Sequence, residues 1–338
     1  MMETLFKYYS SKFDIIKHLK DPAIKLATTA SLNDPFEMKL SKDLATKLSD
    51  KLLSLEHYKN LNARQAHDLR NELIKEYTKF SERYGIVSLS ETHRNLLMWA
   101  HYGSSHKGVC VGYKTDLFEK KQNQTPLDKK INLRPQRIKY DSERFDIEYF
   151  YNGNKTIDIL MQSIKTKSNE WIYEKEHRCI VPFSHGSIIK IKKQPNIELM
   201  NEILLCEKMK IITKEEQNYD SDFDSYTINK GSEEGLIDAM ISKIAYYDDD
   251  AMVLKKIDLS SIDSIYLGCQ YPKDATEIIV NMFRQEKEKF EHIKLYKYRV
   301  HEELFSLDLI PIENCKIKQE LSKMITNREL DITHNSQT

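Results

Sequence analysis

The hydrophobic and polar positions of the chain follow two different periods. Between residues 42 and 84 the apolar side chains recur every three or four positions, as one buried helix face requires, and the same spacing returns at 273–290. Alternating or short apolar runs that end in turn residues predict strands. The predicted strands are 5–9, 85–91, 108–113, 137–140, 176–183, 188–192, 262–268, 293–300 and 303–310, and 24–37 is predicted as a strand that runs into a turn. Further helices are predicted at 94–102, 146–166 and 197–209.

The order of these elements predicts the fold class. Helices and strands are interspersed without a steady strand–helix–strand rhythm, which favours an α+β fold with a mixed, mostly antiparallel, split sheet surrounded by helices. We expect one catalytic-like domain over 1–312, with a helical insertion at 42–84 and an exposed polar insertion at about 213–236. A Ser-His-Gly-Ser link predicts that the strands at 176–183 and 188–192 form a hairpin. A helix and a disordered tail are predicted for 313–338.

Composition narrows the class of protein. Lys plus Arg and Asp plus Glu both total 52, so the net charge is zero and gives no bulk signal for a nucleic-acid or membrane partner. No apolar run approaches the ~18 residues that span a bilayer, and the N-terminal residues lack the features of a secretory signal. The five cysteines are widely spaced and form no CxxC pair, which indicates reduced core thiols. We therefore expect a cytoplasmic protein.

Two clusters of polar residues lie in the first forty positions. Lys7 and Tyr8 lie on the first predicted strand, as part of a plain edge strand or as groups that hold a phosphate or ribose. Asn33, Asp34 and Glu37 surround a proline in "LNDPFE", which is typical of a turn. The alternative is that this turn orients a site, because two carboxylates alone are a poor ligand set for a metal.

A third cluster spans "SLSE" and the stretch "NLLMWAHYGSSHKGVCVGY". Ser88 and Ser90 occupy alternate strand positions and face the same side. Trp99 is either a core residue or an aromatic wall that stacks on a flat ligand ring. Two histidines five positions apart are weak evidence for zinc. The remaining candidates for ligand contact in this stretch are His101, Tyr102, His106 and Lys107.

The fourth cluster is "YEKEHR", which contains Glu174, Glu176 and Arg178. If the strand extends back to Glu174, the three side chains share one face, and two carboxylates there require a compensating cation. The alternative is a solvated run of charges. The sequence contains no nucleophile elbow, Walker loop, dinucleotide fingerprint or HExxH motif, and we expect no metal.

Together these motifs resemble a large bacterial family of a domain of unknown function, whose members carry a "KYR…LNDPFD…SLSE…LMWSHYA…HKG…YEKEWR" pattern. A weaker similarity to the arginine-class ADP-ribosyltransferase fold suggests an activity. By that resemblance NAD is the substrate, Lys7 holds a phosphate or ribose, Ser88 and Ser90 brace the site, and Glu176 is the catalytic carboxylate with Glu174 orienting the acceptor. Lys7 departs from the arginine of that pattern, and a lysine does not bind phosphate in the forked geometry of arginine.

Three functions are therefore considered. The first is an ADP-ribosyltransferase-like enzyme that uses NAD to modify an unknown macromolecular acceptor, as a toxin or phage-defence effector. The second is a non-catalytic module that binds a nucleotide or a protein. The third is a metal-dependent nuclease, which would use the carboxylates Asp34, Glu37, Glu174 and Glu176.

Overall fold

The computed structural model describes residues 3–28, 31–37, 40, 42–119, 132–144, 156–216, 222–248 and 250–312. The strands within these residues are β1 (Thr4–Tyr9), β2 (Ala23–Leu26), β3 (Tyr84–Ser90), β4 (Val109–Lys114), β5 (Gln136–Arg137), β6 (Lys139–Asp141), β7 (Thr166–Ser168), β8 (Glu176–Pro182), β9 (Ile188–Lys192), β10 (Ile212–Lys214), β11 (Phe223–Ile228), β12 (Met252–Lys256), β13 (Ile262–Leu267), β14 (Lys294–Val300) and β15 (Leu307–Pro311).

The helices of the described residues are α1 (Ile15–Lys20), α2 (Lys42–Leu53), α3 (Ala63–Thr78), α4 (Leu96–His101), α5 (Thr156–Ile164), α6 (Ile197–Lys208), α7 (Glu234–Tyr247), α8 (Lys273–Gln285) and α9 (Lys287–Phe290). The helical character predicted for 42–84 is confirmed by α2 and α3. Asn62 caps α3 through a reciprocal capping box with Gln65, which satisfies backbone donors that a helix start leaves open.

The described residues divide into two units, each assembled from separated segments of the chain. The first contains the described residues of 1–20, 90–117 and 259–312, and the second those of 21–89 and 118–258. The sequence predicted one domain over 1–312. The helix and tail predicted at 313–338 lie outside the described residues.

The first unit contains strands in the order β15-β14-β13-β4-β1. All neighbours in this series are antiparallel except β13 and β14, which run parallel and are connected through α8 and α9. Its core includes the fully buried Trp99 beside Tyr298 and the apolar residues of β4. The strands predicted at 5–9, 108–113 and 262–268 are confirmed.

The second unit contains a five-stranded antiparallel sheet in the order β10-β11-β9-β12-β2. The neighbouring strands β3-β8-β5 and the short parallel pair β6-β7 complete its sheets. The chain is thus an α+β protein with mixed, mostly antiparallel sheet, as the sequence predicted. Among the described residues no helix combines the length and the apolar character needed to cross a membrane.

Two local predictions for the second unit are wrong. The strands β8 and β9 do not form a hairpin: β8 pairs with β5, whereas β9 pairs with β11 and β12 in the other sheet. A 3-10 turn at Phe183–His185, with all three residues buried, separates the two strands. The polar insertion predicted at 213–236 is not an exposed loop throughout, because its aromatic and β-branched residues form β11, in which Tyr226 and Ile228 are buried.

A tight turn in the first unit joins α4 to β4. Ser104, Ser105 and His106 have φ values of 47°, 52° and 68°, so three consecutive non-glycine residues adopt the left-handed conformation. The turn ends at Gly108, whose amide donates to the carbonyl of Gly103 at 2.8 Å. A Cβ atom at Gly108 would lie 2.0 Å from the carbonyl oxygen of Tyr9. This contact is with backbone, so no side chain can move aside to relieve it.

We predict that Gly108→Ala lowers the free energy of unfolding by about 2–3 kcal/mol, because the backbone of β1 or of the turn must shift to admit the methyl group. Gly235→Ala in α7 is the matched control, since nothing lies within 4 Å of its Cβ position and alanine is the better helix former by roughly 0.5–1 kcal/mol. Urea unfolding of both variants measures the difference. Equal stability of the two variants would show that the turn is not packed as described.

Candidate functional site

A cluster of five buried charged side chains lies in the second unit. Each is less than one-tenth exposed, and they come from four separate places in the chain: Glu37, Lys167, Glu174, Glu176 and Arg178. Glu37 follows the Asn-Asp-Pro turn, Lys167 is central in β7, and Glu176 begins β8. We call these five residues the buried charge cluster. Three carboxylates face two cations, so the fully ionised cluster carries one excess negative charge.

Lys167 is the centre of the cluster. Its Nζ lies 2.6 Å from Oε2 of Glu174, 3.1 Å from Oε2 of Glu176 and 3.6 Å from Oε1 of Glu37. The ammonium also lies 5.0 Å from the ring centroid of Trp171, within the range of a cation–π contact. One lysine thus holds together three carboxylates that would otherwise repel one another.

Arg178 supplies the second cation through a forked contact. Its Nε donates to Oε1 of Glu176 at 2.8 Å and its Nη2 donates to Oε2 at 3.0 Å. The same guanidinium forms an ion pair with Glu37 and donates from Nη1 to the carbonyl of Ile164 at 2.6 Å. Two parallel bonds to one carboxylate fix the orientation of both groups. The sequence-based alternative of a solvated charge run is therefore wrong for Glu174, Glu176 and Arg178.

The backbone at Lys175 brings Glu174 and Glu176 to the same cation. The sequence predicted a strand from Glu176 and left open whether it extends back to Glu174. The strand β8 begins at Glu176, and Glu174 ends a 3-10 helix, Asn169–Glu174. Lys175 between them has φ 46° and ψ 51°, a left-handed conformation that is uncommon for a residue with a Cβ. The amide of Glu176 donates to the hydroxyl of Tyr140 at 2.7 Å, which holds the turn in place.

Burial changes the protonation of the cluster. Desolvation raises the pKa of Glu176, while Lys167 and a hydrogen bond with Ser88 act in the opposite direction. Burial lowers the pKa of Arg178 to about 9, which still leaves the guanidinium protonated at neutral pH. For the phenol of Tyr140, burial acts in the other direction and raises the pKa to about 12, so this group is neutral. The net charge of the cluster is therefore set mainly by its carboxylates.

A cleft of about 300 Å³ adjoins the cluster. Glu37 and Lys167 lie in its wall, whereas Glu174, Glu176 and Arg178 lie behind that wall. Four carboxylates and two cations line it, so its ionised lining carries two excess negative charges. The lining residues are Asp34, Phe36, Glu37, Asp141, Ser142, Glu143, Arg144, Ser163, Thr166, Lys167 and Ser168.

An aromatic contact lies at this cleft. Phe36 is 62% exposed, although it is a large apolar residue. The guanidinium of Arg144 lies 5.1 Å from the centroid of the Phe36 ring and donates to the Phe36 carbonyl at 3.0 Å. Asp34 accepts a hydrogen bond from the Phe36 amide at 2.9 Å, which is the Asx turn expected from the sequence. The turn thus places Phe36 and Glu37 on the cleft, and Asn33 is an exposed part of it.

The remaining predicted site residues belong to the first unit, except Ser88. Tyr8 is buried and donates to the carbonyl of Thr92 at 2.9 Å, and its ring packs edge-on against the fully buried Trp99. Trp99 stacks on His106, whose pKa is lowered by burial. Tyr8 and Trp99 are therefore core residues. For Trp99 this was one of the two interpretations of the sequence, the other being an aromatic wall for a ligand. Lys7 is half-buried, and its ammonium lies over the Tyr9 ring. Of the other residues predicted in this unit, Ser90 is buried, Tyr102 is half-buried, and His101 and Lys107 are exposed.

The sequence analysis missed Lys167, the centre of the cluster. Its surroundings, "IKTKSNEW", contain two lysines, and no pattern in the sequence distinguishes one from the other. Tyr140, Arg144 and Phe36 were missed for the same reason. The available signal was electrostatic: two glutamates that share a buried site require a cation, and that cation need not be close to them in sequence.

The carboxylates of the cluster do not form a metal site. Within the described ranges no group of three or more His, Cys, Asp or Glu side chains is arranged to hold a metal ion. Lys167 occupies the space among Glu37, Glu174 and Glu176 that a divalent cation would need. The observed arrangement is an ionic network in which protein cations take the place of a metal.

The fold and this network define an α+β protein with a buried ionic cluster beside an acidic cleft. Residues 98–179 match the model of a family described as "Protein of unknown function (DUF2971)". The match confirms the resemblance to a domain-of-unknown-function family, and its segment includes four residues of the buried charge cluster. No curated protein and no solved structure matches the chain.

We predict that Lys167→Met destabilises the protein by about 3–5 kcal/mol at neutral pH, because it leaves three buried carboxylates with Arg178 as their cation. The cost shrinks at lower pH. A carboxyl group whose pKa is raised in the folded state favours folding when protonated, and this contribution is lost as the pH rises through the folded pKa. Urea unfolding at about pH 5 and pH 7.5 measures both effects. An equal loss of stability at both pH values would show that Lys167 is not the cation that compensates these carboxylates.

We also predict that Lys175→Gly is more stable than Lys175→Ala by about 1 kcal/mol, because glycine adopts the left-handed conformation without the strain of a Cβ atom. Both variants remove the same ammonium group, so their difference isolates the backbone. Thermal and urea unfolding provide the measurement. If the alanine variant is the more stable one, as in ordinary extended or helical backbone, Lys175 is not held in the described conformation.

Proposed function

We propose that the chain is an ADP-ribosyltransferase-like enzyme that uses NAD and binds its nicotinamide–ribose end in the cleft of the second unit. The observation that carries this proposal is the cleft itself: its ionised lining carries two excess negative charges, and Glu37 and Lys167 of the buried charge cluster lie in its wall. The oxidised nicotinamide ring is cationic, and the acidic lining favours such a group. The same lining disfavours a diphosphate, so only the nicotinamide–ribose end is assigned to the cleft.

The chemistry follows from where positive charge develops. The bond between the nicotinamide nitrogen and C1′ of the ribose breaks, and nicotinamide leaves with the electron pair. The ribose then carries positive charge until a nucleophile of the acceptor, or water, forms the new bond to C1′ and loses its proton. A fixed carboxylate close to the ribose stabilises that charge more strongly in the transition state than in the substrate.

Glu37 is the carboxylate that this proposal places against the ribose. It lies in the cleft wall, whereas Glu176 uses both oxygens to bind Arg178 and Lys167 behind that wall. Glu174 and Glu176 then act by holding Lys167 and by contributing to the negative field. We therefore assign to Glu37, which the sequence analysis gave as a supporting residue, the role of catalytic carboxylate that the resemblance suggested for Glu176.

One observation favours the second candidate function, a non-catalytic binding module. The carboxylates of the cluster are all ion-paired in this structure, and the nearby protein cations offset the attraction that these carboxylates would exert on a developing positive charge. Such a module gives a rise in melting temperature with NAD but releases no nicotinamide. The nuclease is not proposed, because Lys167 lies where its metal ion would bind.

The test is nicotinamide release from NAD, with and without a cell extract as a source of acceptor. We expect release by the unaltered chain and a loss of at least about 100-fold in Glu37→Gln, a size typical of removing one transition-state contact. Glu170→Gln is the matched control, because Glu170 is an exposed carboxylate that does not line the cleft. Glu37→Gln is preferred to Glu176→Gln because Glu37 lies in the cleft wall. Both variants remove a buried paired charge, so the melting temperature of Glu37→Gln is measured beside its activity.

Two results would contradict the proposal. One is the absence of nicotinamide release by the folded, unaltered chain in both conditions, which with a thermal shift by NAD would support the binding module instead. The other is undiminished turnover in Glu37→Gln with a melting temperature like that of the control.

A further inference from the structure

Arg144 connects two of the three chain segments that line the cleft. The lining residues fall within 34–37, 141–144 and 163–168. The guanidinium of Arg144, in the second of these segments, lies 5.1 Å from the centroid of the Phe36 ring in the first. Its Nη2 also donates to the Phe36 carbonyl at 3.0 Å. The side chain of Arg144 therefore covers the aromatic ring of the described cleft lining.

This contact leaves both side chains accessible to water. Phe36 is 62% exposed, and Arg144 is exposed as well. A cation–π contact between exposed groups is weak, and a hydrogen bond at the surface is readily exchanged for one with water. Because neither side chain belongs to the core, Arg144 can leave the ring without disturbing the fold.

Two carboxylates of the cleft are already paired with other cations. Asp141 is paired with Lys139 at 2.8 Å, and Glu37 belongs to the buried charge cluster. The guanidinium of Arg144 lies over the aromatic ring instead. A planar cation is thus stacked on a ring in a cleft whose ionised lining has two excess negative charges.

The ring and the charge of the lining together select one class of ligand group. An aromatic ring stacks on flat groups and attracts cations, and an acidic lining favours positive charge. A planar cation meets both conditions, and the guanidinium of Arg144 is itself a planar cation. A neutral flat ring lacks the charge, and the compact ammonium of a lysine lacks the plane.

We propose that the Phe36 ring is the platform on which a planar cation binds in the cleft, and that Arg144 is the intramolecular competitor for this platform. The inference rests on the proposed function for the identity of the cation, which is the nicotinamide ring of NAD. A cleft of about 300 Å³ is at the lower end of the range for ligand pockets, which suits one ring and its ribose. Phe36 is then a specificity-determining residue, whereas Glu37 acts on the ribose.

Competition by Arg144 has a defined effect on affinity. A ligand that binds only the uncovered ring has its apparent affinity reduced by the fraction of molecules in which the ring is uncovered. Because an exposed cation–π contact is weak, the reduction is expected to be about 3- to 6-fold. A variant that removes the competing contact but keeps its charge is therefore expected to bind the ligand more tightly by the same factor.

Equilibrium dialysis of the full chain with 1-methylnicotinamide tests the competition. This probe is a planar cation without a ribose, so its binding requires no catalysis. We expect Arg144→Lys to bind the probe about 3- to 6-fold more tightly, because lysine keeps the charge but lacks the plane that stacks on the ring. Arg64→Lys is the matched control, since the side chain of Arg64 is 93% exposed on α3 and does not line the cleft. Unchanged affinity in Arg144→Lys would overturn the competition.

Phe36→Leu tests the platform in the Arg144→Lys background, where the ring is uncovered. There it is expected to weaken binding of the probe at least about 5-fold, because leucine is apolar but has no aromatic face. In the unaltered background the loss is expected to be smaller, because leucine also removes the contact that competes. Phe305→Leu, at an exposed phenylalanine of the first unit, is the matched control. Undiminished affinity in the Arg144→Lys background overturns the platform, and an equal loss in both backgrounds overturns the competition.

These outcomes are separable from those of the proposed function. A chain that binds 1-methylnicotinamide in the expected pattern but releases no nicotinamide from NAD supports the platform and contradicts the enzyme. Binding and nicotinamide release that are both unchanged by Phe36→Leu in the Arg144→Lys background overturn the platform alone. Thermal unfolding of each variant verifies that its fold is intact.

Discussion

The ammonium group of Lys167 among Glu37, Glu174 and Glu176 is the interaction on which the described site depends. Charges are tolerated in a protein interior only when they are paired and hydrogen-bonded. Here one lysine and one arginine are paired with three carboxylates. The fully ionised cluster therefore has one negative charge in excess, and it lies beside a cleft. The same network therefore serves two purposes: it holds separate segments of the second unit together and sets the electrostatic character of the cleft.

Several local features of the chain serve this network. Glu37 follows the Asn-Asp-Pro turn, and Lys167 lies in the short strand β7. The left-handed backbone of Lys175 places Glu174 and Glu176, on either side of it, near the same ammonium group. Backbone strain of this kind persists where the surrounding structure enforces it. The forked Arg178–Glu176 contact and the Tyr140 hydroxyl supply that enforcement. These contacts fix the orientation of the Glu176 carboxylate, and fixed orientation is what a preorganised electrostatic site requires.

The sequence predicted the parts of this structure that depend on local patterns. The helices at 42–84, the strand at 5–9 and the strand beginning at Glu176 follow from periodicity and turn residues, and the α+β class follows from their order. The hairpin between β8 and β9 failed because a buried turn and long-range pairing, not the short link, decide which sheet each strand joins.

The site was predicted only in part, because local patterns identify residues that are close in sequence but not those that long-range pairing brings together. Glu174, Glu176 and Arg178 stand out because they are close in sequence, and Glu37 lies in a recognisable turn. Lys167 does not stand out, because its role arises only when β7 is placed beside the cluster. Residues of the first unit such as Trp99 were ambiguous in sequence, since an aromatic residue among glycines suits both a core and a ligand wall. Its complete burial decides for the core.

We propose that the cleft beside the buried charge cluster stabilises positive charge. Calorimetric titration of the chain with NAD and with NADH tests it most directly, because the two ligands differ in the charge of the nicotinamide ring, which is cationic in NAD and neutral in NADH. We predict that NAD binds at least about 10-fold more tightly than NADH, a difference of about 1.4 kcal/mol, and that Glu37→Gln reduces this preference. Equal affinity for the two ligands, or tighter binding of NADH, would contradict it.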